Sequence, residues 1–484
     1  MIEHFVSVDI GSTWTKAARF ALHEDRFFVE KRSVVPTTID HLPDGFYSAL
    51  NLLDRQIDWA IADSAPMPVV FSSSARGGLK VAVVGLVPEM SLQIARLAAC
   101  SAGAKVVGAF PYRLTRSCVA ELEQMRPDIL LLCGGTDGGN ERYVSENATA
   151  ISRSRFDGTI VYAGNSQAAE IVSDNLSGRD LRICENLMPD FGRLNIEPAR
   201  SAIRDVFLDR IVAGKGLEKL VSQFGIAPLP TPLAVFNLVD AIGRNLPDWQ
   251  NFALIDMGGA TTDIYSFTEA YHQAPATVLK GITEPRLKRS VEGDLGMRVS
   301  ASSVVAVAEK FLRAELDQKN ICFERLIGYV EKLELNHSFL PDEKDFEESL
   351  FDELLARACI SQAVFRHAGT VERVFTAGGP ILAQYGKDLR HIDRIVGSGG
   401  YLAAEDQFSP GNLFCSGCFN DSEKTSLVPE NFSYFCDHDY LWPLLGNLAS
   451  RFPAQAANTA VLNLRSADEG ESAFFAVSNR HSSS

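Results

Sequence analysis

The chain has 484 residues and a formal net charge of −15 at pH 7, and 46% of its residues are hydrophobic and 22% charged. This length predicts about two to four domains with buried cores. The acidic balance argues against a nucleic-acid partner, because a nucleic-acid backbone requires a basic surface. No run of about 18 apolar residues predicts a membrane-spanning helix, and the start of the chain lacks a basic and apolar leader. The nine scattered cysteines fit reduced thiols, so we expect a cytoplasmic protein with no membrane partner.

Three strands are predicted at the start of the chain, with a polar turn between the first and the second. The first strand carries Asp9 near its end, and a glycine and hydroxyl residues follow. Glycine lets the backbone approach a large anion, and amide and hydroxyl groups donate hydrogen bonds to phosphate oxygens. Lys16 lies just past the turn, where it either reaches a phosphate or only decorates the returning strand. The strands are residues 5–10, 15–21 and 27–34, and the predicted phosphate contacts are Gly11, Ser12, Thr13 and Lys16.

Between residues 66 and 190 the sequence predicts strands that alternate with helices. Near-continuous apolar strands joined by helices are typical of a parallel sheet covered on both faces. The glycine-rich segment 134–140 follows one of these strands, at the edge where such sheets bind ligands. It matches neither Gly-x-Gly-x-x-Gly nor the P-loop pattern, so it does not indicate a nucleotide. Two interpretations stay open: a surface that receives a ligand or partner, and a turn that serves chain geometry only.

A second polar hairpin is predicted at residues 254–265. An apolar strand ends in Asp256, glycines and threonines form the turn, and Asp263 opens the returning strand. Carboxylates repel phosphate, but they are expected beside it if a hydrated Mg²⁺ lies between, because Mg²⁺ keeps its waters and is held by few carboxylates. We therefore predict Asp9 and Asp256 as metal ligands, and Asp9, Asp256 and Asp263 as catalytic residues. The predicted phosphate contacts of this hairpin are Gly258, Gly259, Thr261 and Thr262.

A late glycine turn follows a helical region. The helices are predicted over residues 303–316, 323–335 and 347–367. A short strand at 373–377 then leads into Gly378 and Gly379. Residues 395–400 repeat this pattern of a strand followed by glycines.

A charged turn at residues 286–296 contains two carboxylates separated by glycine, Glu292 and Asp294. It either returns to the polar hairpins and supplies a catalytic acid, or it is a solvated surface turn. A carboxylate that returns to the polar hairpins would be able to act on water or on a substrate hydroxyl.

Four residues near the C-terminus are of types that bind zinc, namely Cys415, Cys418, Cys436 and His438. The single residue between Cys436 and His438 is tighter than the usual spacing of zinc ligands. Free thiols in a loop are therefore the favoured interpretation, and a zinc site is the alternative.

Two polar hairpins followed by a late Gly-Gly turn, in this order, resemble the superfamily of actin, sugar kinases and heat-shock chaperone ATPases. The resemblance implies an α/β protein with the actin-like (ribonuclease H-like) duplicated ATPase fold. It also implies that the hairpins hold ATP and Mg²⁺, and that Gly378 and Gly379 pack on adenosine. In heat-shock ATPases, a glutamate at the start of the helix before the second hairpin helps to place the attacking water. Thr231 stands at the matching position here, which argues against fast hydrolysis by that mechanism.

Longer motifs resemble one family of this superfamily, the glutamate mutase accessory proteins called MutL or GlmL, which are unrelated to the mismatch-repair protein. The motifs are residues 9–16, 73–80, 133–140, 163–165, 256–263 and 291–296. The resemblance implies a chaperone-like reactivating factor and slow ATPase that opens and closes with ATP, and so releases damaged cobalamin from an adenosylcobalamin-dependent mutase. Two alternatives stay open: a small-molecule kinase with Asp294 as its base, and a nucleotide-binding scaffold with little hydrolysis. Assembly into an oligomer is also left open.

Five regions are expected along the chain. An inserted parallel α/β domain interrupts the first ATPase half and is the expected surface toward the mutase or its cobalamin. The regions are 1–65, the first part of half one; 66–190, the inserted domain; 191–250, the rest of half one with connecting helices; 251–400, half two; and 401–484, a loop-rich region with a helix.

Overall fold

The computed structural model describes residues 3–38, 40–59, 67–74, 79–212, 216–269, 277–337, 339–342, 344–404, 408 and 424–466. Within these ranges the strands form four sheets. Two of the sheets contain the polar hairpins, one lies in the inserted domain, and one is a small sheet beside the second hairpin's sheet.

The first part of the chain forms the predicted meander and one further strand. Its elements are β1 (Glu3–Ile10), β2 (Trp14–Leu22), β3 (Phe27–Pro36), α1 (Leu42–Leu53) and β4 (Val69–Ser73). β1 and β2 pair antiparallel with Asp9 opposite Lys16, and β2 pairs antiparallel with β3. The last six residues of β1 are all buried, as expected for a strand with both faces covered.

The inserted domain begins later than the sequence predicts. β4, expected in the region 66–190, pairs in parallel with β1 over Val6–Ile10. Parallel neighbours need a crossover connection, which α1 provides between the meander and β4. β4 therefore belongs to the first half, and the inserted domain starts with the strand at Lys80.

The inserted domain has the predicted parallel sheet with helices between its strands. Its elements are β5 (Lys80–Gly85), α2 (Gln93–Ser101), β6 (Lys105–Pro111), α3 (Arg116–Met125), β7 (Ile129–Leu132), α4 (Arg142–Ser152), β8 (Thr159–Tyr162), α5 (Ala169–Asn175) and β9 (Leu181–Ile183). The strand order is β6-β5-β7-β8-β9, and all neighbours are parallel. A π-helical turn at Pro88–Leu92 runs directly into α2. The strand order reverses at β5, and this is the position where sheets of this order bind ligands.

Three helices and a short strand connect the inserted domain to the second half. They are α6 (Glu197–Val212), α7 (Leu217–Phe224), β10 (Leu229–Pro230) and α8 (Thr231–Asn245). β10 pairs in parallel with β4 and completes the first sheet. α8 begins at Thr231 with a proline in its first turn, where the missing N–H of proline does no harm.

The second half repeats the meander and adds the three predicted helices. Its elements are β11 (Phe252–Met257), β12 (Thr262–Phe267), β13 (Thr277–Lys280), β14 (Leu287–Glu292), α9 (Ala301–Gln318), α10 (Phe323–Leu335), α11 (Phe346–His367), β15 (Thr370–Thr376), β16 (Gly379–Tyr385), β17 (Arg394–Ser398) and α12 (Gly400–Ala404). The bounds of the three long helices agree with the prediction to within two residues at each end.

The described part of the C-terminal region contains strands and helices beyond the single helix that its sequence predicts. Its described elements are β18 (Thr425–Ser426), β19 (Ser433–Cys436), α13 (Trp442–Ala449), α14 (Pro453–Leu462) and β20 (Arg465–Ser466). β19 pairs in parallel with β17 and so extends the sheet of the second hairpin. Among the described residues of this region, β19 therefore extends the second sheet, while α13 and α14 lie in a core that both halves share.

Two of the sheets share one topology. The strand orders are β10-β4-β1-β2-β3 and β14-β12-β11-β17-β19-β20. In each sheet an antiparallel meander of three strands lies on one side, and two parallel strands add on the other side of the first strand of that meander, followed in the second sheet by the antiparallel β20. The repetition confirms the predicted duplicated, actin-like α/β fold with an inserted parallel domain.

A shared hydrophobic core joins the two halves. Phe20 of β2, Leu238 of α8, Phe267 of β12, Trp442 of α13 and Ala456 of α14 are all buried in one cluster. α8 carries a glycine at position 243, where an added Cβ would lie 2.3 Å from the Phe267 ring. α8 therefore packs against β12 too closely for a side chain at this position.

Candidate functional site

The two polar hairpins have the same local geometry. Asp9 and Asp256 are each the last-but-one residue of their strands, β1 and β11. One backbone hydrogen bond closes each turn, and the two bonds run from the Gly11 N–H to the Trp14 carbonyl (3.1 Å) and from the Gly258 N–H to the Thr261 carbonyl (2.8 Å). The tips are thus tight loops of equal construction at the ends of two central strands.

The turn residues differ in what they present to solvent. Ser12, Thr13 and Gly259 are exposed, and Thr261 is half-buried. Thr262 is fully buried, and its hydroxyl donates to the Leu295 carbonyl at 2.6 Å. Thr262 is one of the predicted phosphate contacts, but its hydroxyl points into the protein because β12 has already begun at this residue.

Asp9 is held rigidly in the first half. Its side chain is 1% exposed, and its Oδ1 accepts hydrogen bonds from the Ser72 hydroxyl at 2.9 Å and from the Thr231 hydroxyl at 2.6 Å. Burial raises the pKa of Asp9, while the Thr231 hydrogen bond and the charge of Lys16 oppose this rise. Thr231, which replaces the expected glutamate, thus orients Asp9.

Lys16 lies where both halves converge. Its Nζ is 2.8 Å from the centroid of the Tyr440 ring, a cation–π contact. Burial lowers the pKa of Lys16 to about 8, although the charges of Asp9, Asp256 and Asp437 raise it. These carboxylates come from β1, from β11 and from the loop after β19, so one ammonium group feels acidic groups from three parts of the chain.

Asp256 is half-buried at the end of β11. Burial, and after it repulsion from Asp263, raises the pKa of Asp256 to about 7, against an opposing effect of Lys16. Carboxylates that disfavour one another in this way are stabilised when a cation lies between them. The Asp256 carboxyl therefore fits a hydrated Mg²⁺ with few protein ligands.

Asp263 lies opposite Asp256 in the β11–β12 ladder but has a different environment. Its Oδ2 accepts hydrogen bonds from Arg289 Nη2 at 2.6 Å and from Nε at 3.2 Å. Its Oδ1 is buried and has no hydrogen-bond partner. One carboxylate oxygen is thus fixed by a buried ion pair, and the other is available for a water molecule or a cation.

The charged segment 286–296 forms β14 and then leads back to the second hairpin, while its role as the source of a catalytic acid stays a prediction. The N–H groups of Met297, Arg298 and Val299 donate to the carbonyls of Gly258 and Gly259 at 2.8 to 3.3 Å. These bonds hold the hairpin tip from one side.

One arginine pairs with both acids, Glu292 and Asp294. Arg366 Nη1 donates to Glu292 at 2.8 Å and to Asp294 at 2.7 Å, and Nη2 donates to Asp294 at 2.9 Å. Hydrogen bonding to Arg366 lowers the pKa of Asp294, whereas burial raises that of Glu292. Both carboxylates therefore lie beside the hairpin in a fixed arrangement.

Comparison with known proteins decides the family. The model of the MutL protein family matches residues 5–463. The chain is 34% identical over 462 residues to the protein MutL of Clostridium tetanomorphum. The aligned region covers 94% of this chain and 98% of that protein. The chain belongs to the MutL protein family.

Solved structures with lower similarity to this MutL-family protein include a glycerol dehydratase reactivase and a gluconate kinase from Lactobacillus acidophilus. The reactivase is 10% identical with a TM-score of 0.30, covering 93% of this chain and 99% of that chain. The kinase is 11% identical with a TM-score of 0.32, covering 96% and 93%. These scores are too low to support a conclusion, so the fold assignment depends on the sheet topology and the family match.

Two glycine turns of the MutL-family protein lie in different sheets. Gly378 and Gly379 form the tip of the β15–β16 hairpin in the small sheet. This sheet does not contain the acidic turns, the name used from here for the tips of the two polar hairpins at residues 9–16 and 256–263. Gly399 follows β17, the parallel neighbour of β11, and has a φ of +100°. A Cβ there would lie 2.1 Å from the Met257 carbonyl oxygen. The structure thus brings Gly399, and not the predicted pair, to the end of the central sheet.

Several residues of the site are not apparent from its sequence motifs. Asp437 accepts hydrogen bonds from the Ser398 hydroxyl at 3.1 Å and from the Leu441 N–H at 2.8 Å, and burial raises its pKa to about 7. Tyr440 has a left-handed φ of +51°, which directs attention to it only once the backbone is known. Ser72, Arg289 and these two residues come from segments remote in sequence, so no local spacing indicates them.

The described residues contain no group of three or more His, Cys, Asp or Glu side chains that would hold a metal ion by themselves. Cys415 and Cys418 of the considered zinc motif lie outside the described residues. The Cys436 thiol donates to the Leu402 carbonyl at 2.8 Å. In the same described part of the chain, no helix is long and apolar enough to cross a membrane.

Proposed function

We propose that this MutL-family protein is an ATP-dependent, chaperone-like accessory factor that reactivates an adenosylcobalamin-dependent mutase of the glutamate mutase type. Membership of the MutL family supports the accessory role. The observation that carries the nucleotide part is the convergence of Asp9, Asp256 and Lys16 from two equal hairpins on opposite halves. A ligand bound by both hairpins would favour a closed arrangement of the halves.

The residues at the hairpins fit a magnesium nucleotide. Asp9 and Asp256 would hold the hydrated Mg²⁺, and Lys16 would contact a phosphate. The backbone N–H groups of 12–13 and 259–261 would donate to phosphate oxygens, because those of Gly11 and Gly258 already close the two turns. When bound, Mg²⁺ supplies positive charge that neutralises the phosphates. Gly399 is the proposed glycine contact with the adenosine, in place of Gly378 and Gly379.

Slow hydrolysis is part of the proposal. Thr231 donates its hydroxyl to Asp9 and cannot act as a base toward water. Glu292 and Asp294 are both paired with Arg366, so both are oriented, and the lowered pKa of Asp294 makes this carboxylate a weak proton acceptor. A protein that uses ATP to change conformation needs only slow turnover, and this arrangement of acids suits that task.

The action on the mutase would follow from opening and closing of the cleft. A mutase that has lost the adenosyl group of its cofactor retains an inactive corrinoid, and a partner that binds the open, releasing state of the mutase shifts its population toward release. The inserted α/β domain is the proposed mutase-facing surface, because the loops that follow its parallel strands lie together at the edge where such sheets bind ligands. The proposed location is the cytoplasm.

A small-molecule kinase is the second candidate, and one observation bears on it directly. Its base would be Asp294, whose two oxygens both accept hydrogen bonds from Arg366 at 2.7 and 2.9 Å. This pairing lowers the pKa of Asp294 and makes the carboxylate a weak base. A nucleotide-binding scaffold with little hydrolysis is favoured by Thr231 alone.

The test measures ATP turnover with Mg²⁺, with and without a glutamate-mutase-type enzyme loaded with an inactive cobalamin. Stimulated turnover with recovery of mutase activity supports the proposal. A phosphorylated small molecule would indicate the kinase, and nucleotide binding without turnover would indicate the scaffold. The Asp256→Ala variant is expected to lose both binding of Mg²⁺–ATP and reactivation, while Asp240→Ala on the exposed face of α8 retains both. Retention of both activities by Asp256→Ala contradicts the assigned site.

A further inference from the structure

The C-terminal end of α2 in the inserted domain packs beside the first acidic turn. Gly103, just after the helix, has a φ of +88°, and a Cβ there would lie 2.9 Å from Pro230 Cβ and 3.3 Å from the Leu233 nitrogen. Between these two residues lies Thr231, whose hydroxyl donates to Asp9. The end of α2 therefore packs against the segment that carries Thr231, and Thr231 contacts the Asp9 carboxylate directly.

The same end of α2 is bound to the second acidic turn through Arg289 of β14. Arg289 Nη1 donates to the carbonyls of Cys100 at 2.7 Å and Ala104 at 3.1 Å. The last carbonyls of a helix lack partners within the helix, and a cation placed there stabilises the helix end. The other edge of the same guanidinium donates to Asp263. Arg289 is 4% exposed, so solvent does not screen either contact effectively.

The start of α2 lies on the ligand edge of the inserted sheet. The π-helical turn Pro88–Leu92 follows β5, where the strand order reverses, and continues into the helix. Gln93 Nε2 donates to Glu284 at 2.8 Å, and Glu284 is paired with Lys288 at 3.2 Å. The helical segment from 88 to 101 spans roughly 20 Å at the usual rise per residue. It therefore connects the ligand edge of the inserted sheet to both acidic turns.

We propose that Arg289 is a positioning residue that couples nucleotide binding at the acidic turns to α2. Through α2 the coupling reaches the rest of the inserted domain. The coupling depends on the proposed nucleotide site for its input. A guanidinium is rigid and planar, so a shift at the edge facing Asp263 also moves the edge facing Cys100 and Ala104. The hydrated Mg²⁺ proposed at Asp9 and Asp256 would also attract Asp263, whose Oδ1 has no hydrogen-bond partner, and would so compete with Arg289 for the negative charge of this carboxylate. The expected consequence is a loosened cap on the end of α2.

Hydrogen exchange of the full chain tests the coupling. The probe is Mg²⁺ with a non-hydrolysable ATP analogue, adenylyl-imidodiphosphate, measured against the free protein. The hairpin segments 9–16 and 256–263 are expected to become protected. The amides of the last turn of α2, up to Gly103, are expected to exchange at least about fivefold faster, the lower end of typical coupling between sites. Protected hairpins with unchanged or slower exchange in α2 would overturn the coupling alone. Unprotected hairpins would overturn the nucleotide site of the proposed function, and the coupling with it.

Variants separate coupling from simple destabilisation. Arg289→Met is expected to show fast exchange at the end of α2 without nucleotide and no further increase with it. Arg289→Lys keeps a cation beside Asp263 but lacks the fork that reaches both carbonyls, so it is expected to lose most of the response.

The matched control for these variants is Arg179→Met. Arg179 is also an arginine at a helix end of the inserted domain, where Nη2 donates to the carbonyls of Ser152 at 2.9 Å and Ser154 at 2.6 Å after α4. This variant is expected to be destabilised yet to keep the nucleotide-dependent change in α2. A full response in folded Arg289→Lys, or loss of the response in folded Arg179→Met, would contradict the role of Arg289.

Discussion

Replacement of Asp256 by asparagine is expected to stabilise the nucleotide-free protein while it abolishes the binding of Mg²⁺–nucleotide. Asp256 is half-buried, and burial together with repulsion from Asp263 raises its pKa from 3.8 to about 7. At pH 8 the folded protein must therefore keep an unfavourable negative charge at this position. Asparagine has nearly the same shape and no charge, so it removes the repulsion without leaving a cavity.

The magnitude follows from the pKa of Asp256 in the folded and unfolded states. A rise from 3.8 to about 7 corresponds to at most about 4 kcal/mol of lost stability at pH 8, at about 1.4 kcal/mol per pKa unit. Solvent screening of this half-buried group reduces this, so we expect about 1–2 kcal/mol. Between pH 4 and 7 the folded state binds more protons than the unfolded state. The free energy of unfolding contributed by Asp256 therefore falls as pH rises through this window and stays low above it.

The assay is urea-induced unfolding at pH 5 and pH 8, in the absence of nucleotide and Mg²⁺. The advantage of Asp256→Asn over the wild type is expected to grow from pH 5 to pH 8. Asp240→Asn, on the exposed side of α8, serves as the control and is expected to show no such growth. An advantage that is absent at pH 8, or equal at the two pH values, would refute the electrostatic account of the site.

Three further substitutions test the contacts around the site. Lys16→Met is expected to weaken binding of Mg²⁺–nucleotide about 10- to 100-fold by calorimetry, and wild-type affinity should fall above pH 8 because the pKa of Lys16 is about 8. Thr231→Val removes the 2.6 Å hydrogen bond to Asp9 and should reduce stability by about 1–2 kcal/mol in urea unfolding. Gly243→Ala places a Cβ 2.3 Å from the Phe267 ring and should reduce stability by about 1–3 kcal/mol. Unchanged affinity or stability would contradict the respective contact.

Both acidic turns could be predicted from the sequence because their signals are local. An apolar strand that ends in Asp9 or Asp256, followed by glycine and hydroxyl residues, determines a tight hairpin by turn chemistry alone. The parallel sheet of the inserted domain was equally predictable, since its buried strands are continuous apolar runs such as Ile129–Leu132.

Other features depend on contacts between remote segments, which no spacing in the sequence encodes. Val69–Ser73 has the composition of any buried strand, and only its pairing with β1 assigns it to the first half. The pattern of a strand followed by glycines occurs twice, at Gly378 and at Gly399, and sheet pairing alone distinguishes them. Arg289 and Tyr440 acquire their roles through tertiary contacts with Asp263 and Lys16.

Recovery of mutase activity is the measurement that tests the proposed function most directly. A glutamate-mutase-type enzyme loaded with hydroxocobalamin is mixed with the protein, free adenosylcobalamin, ATP and Mg²⁺, and its activity is followed over time. We predict recovery that requires ATP and Mg²⁺ and that fails with Asp256→Asn. Recovery at the same rate without ATP, or no recovery with all components present, would contradict ATP-dependent reactivation.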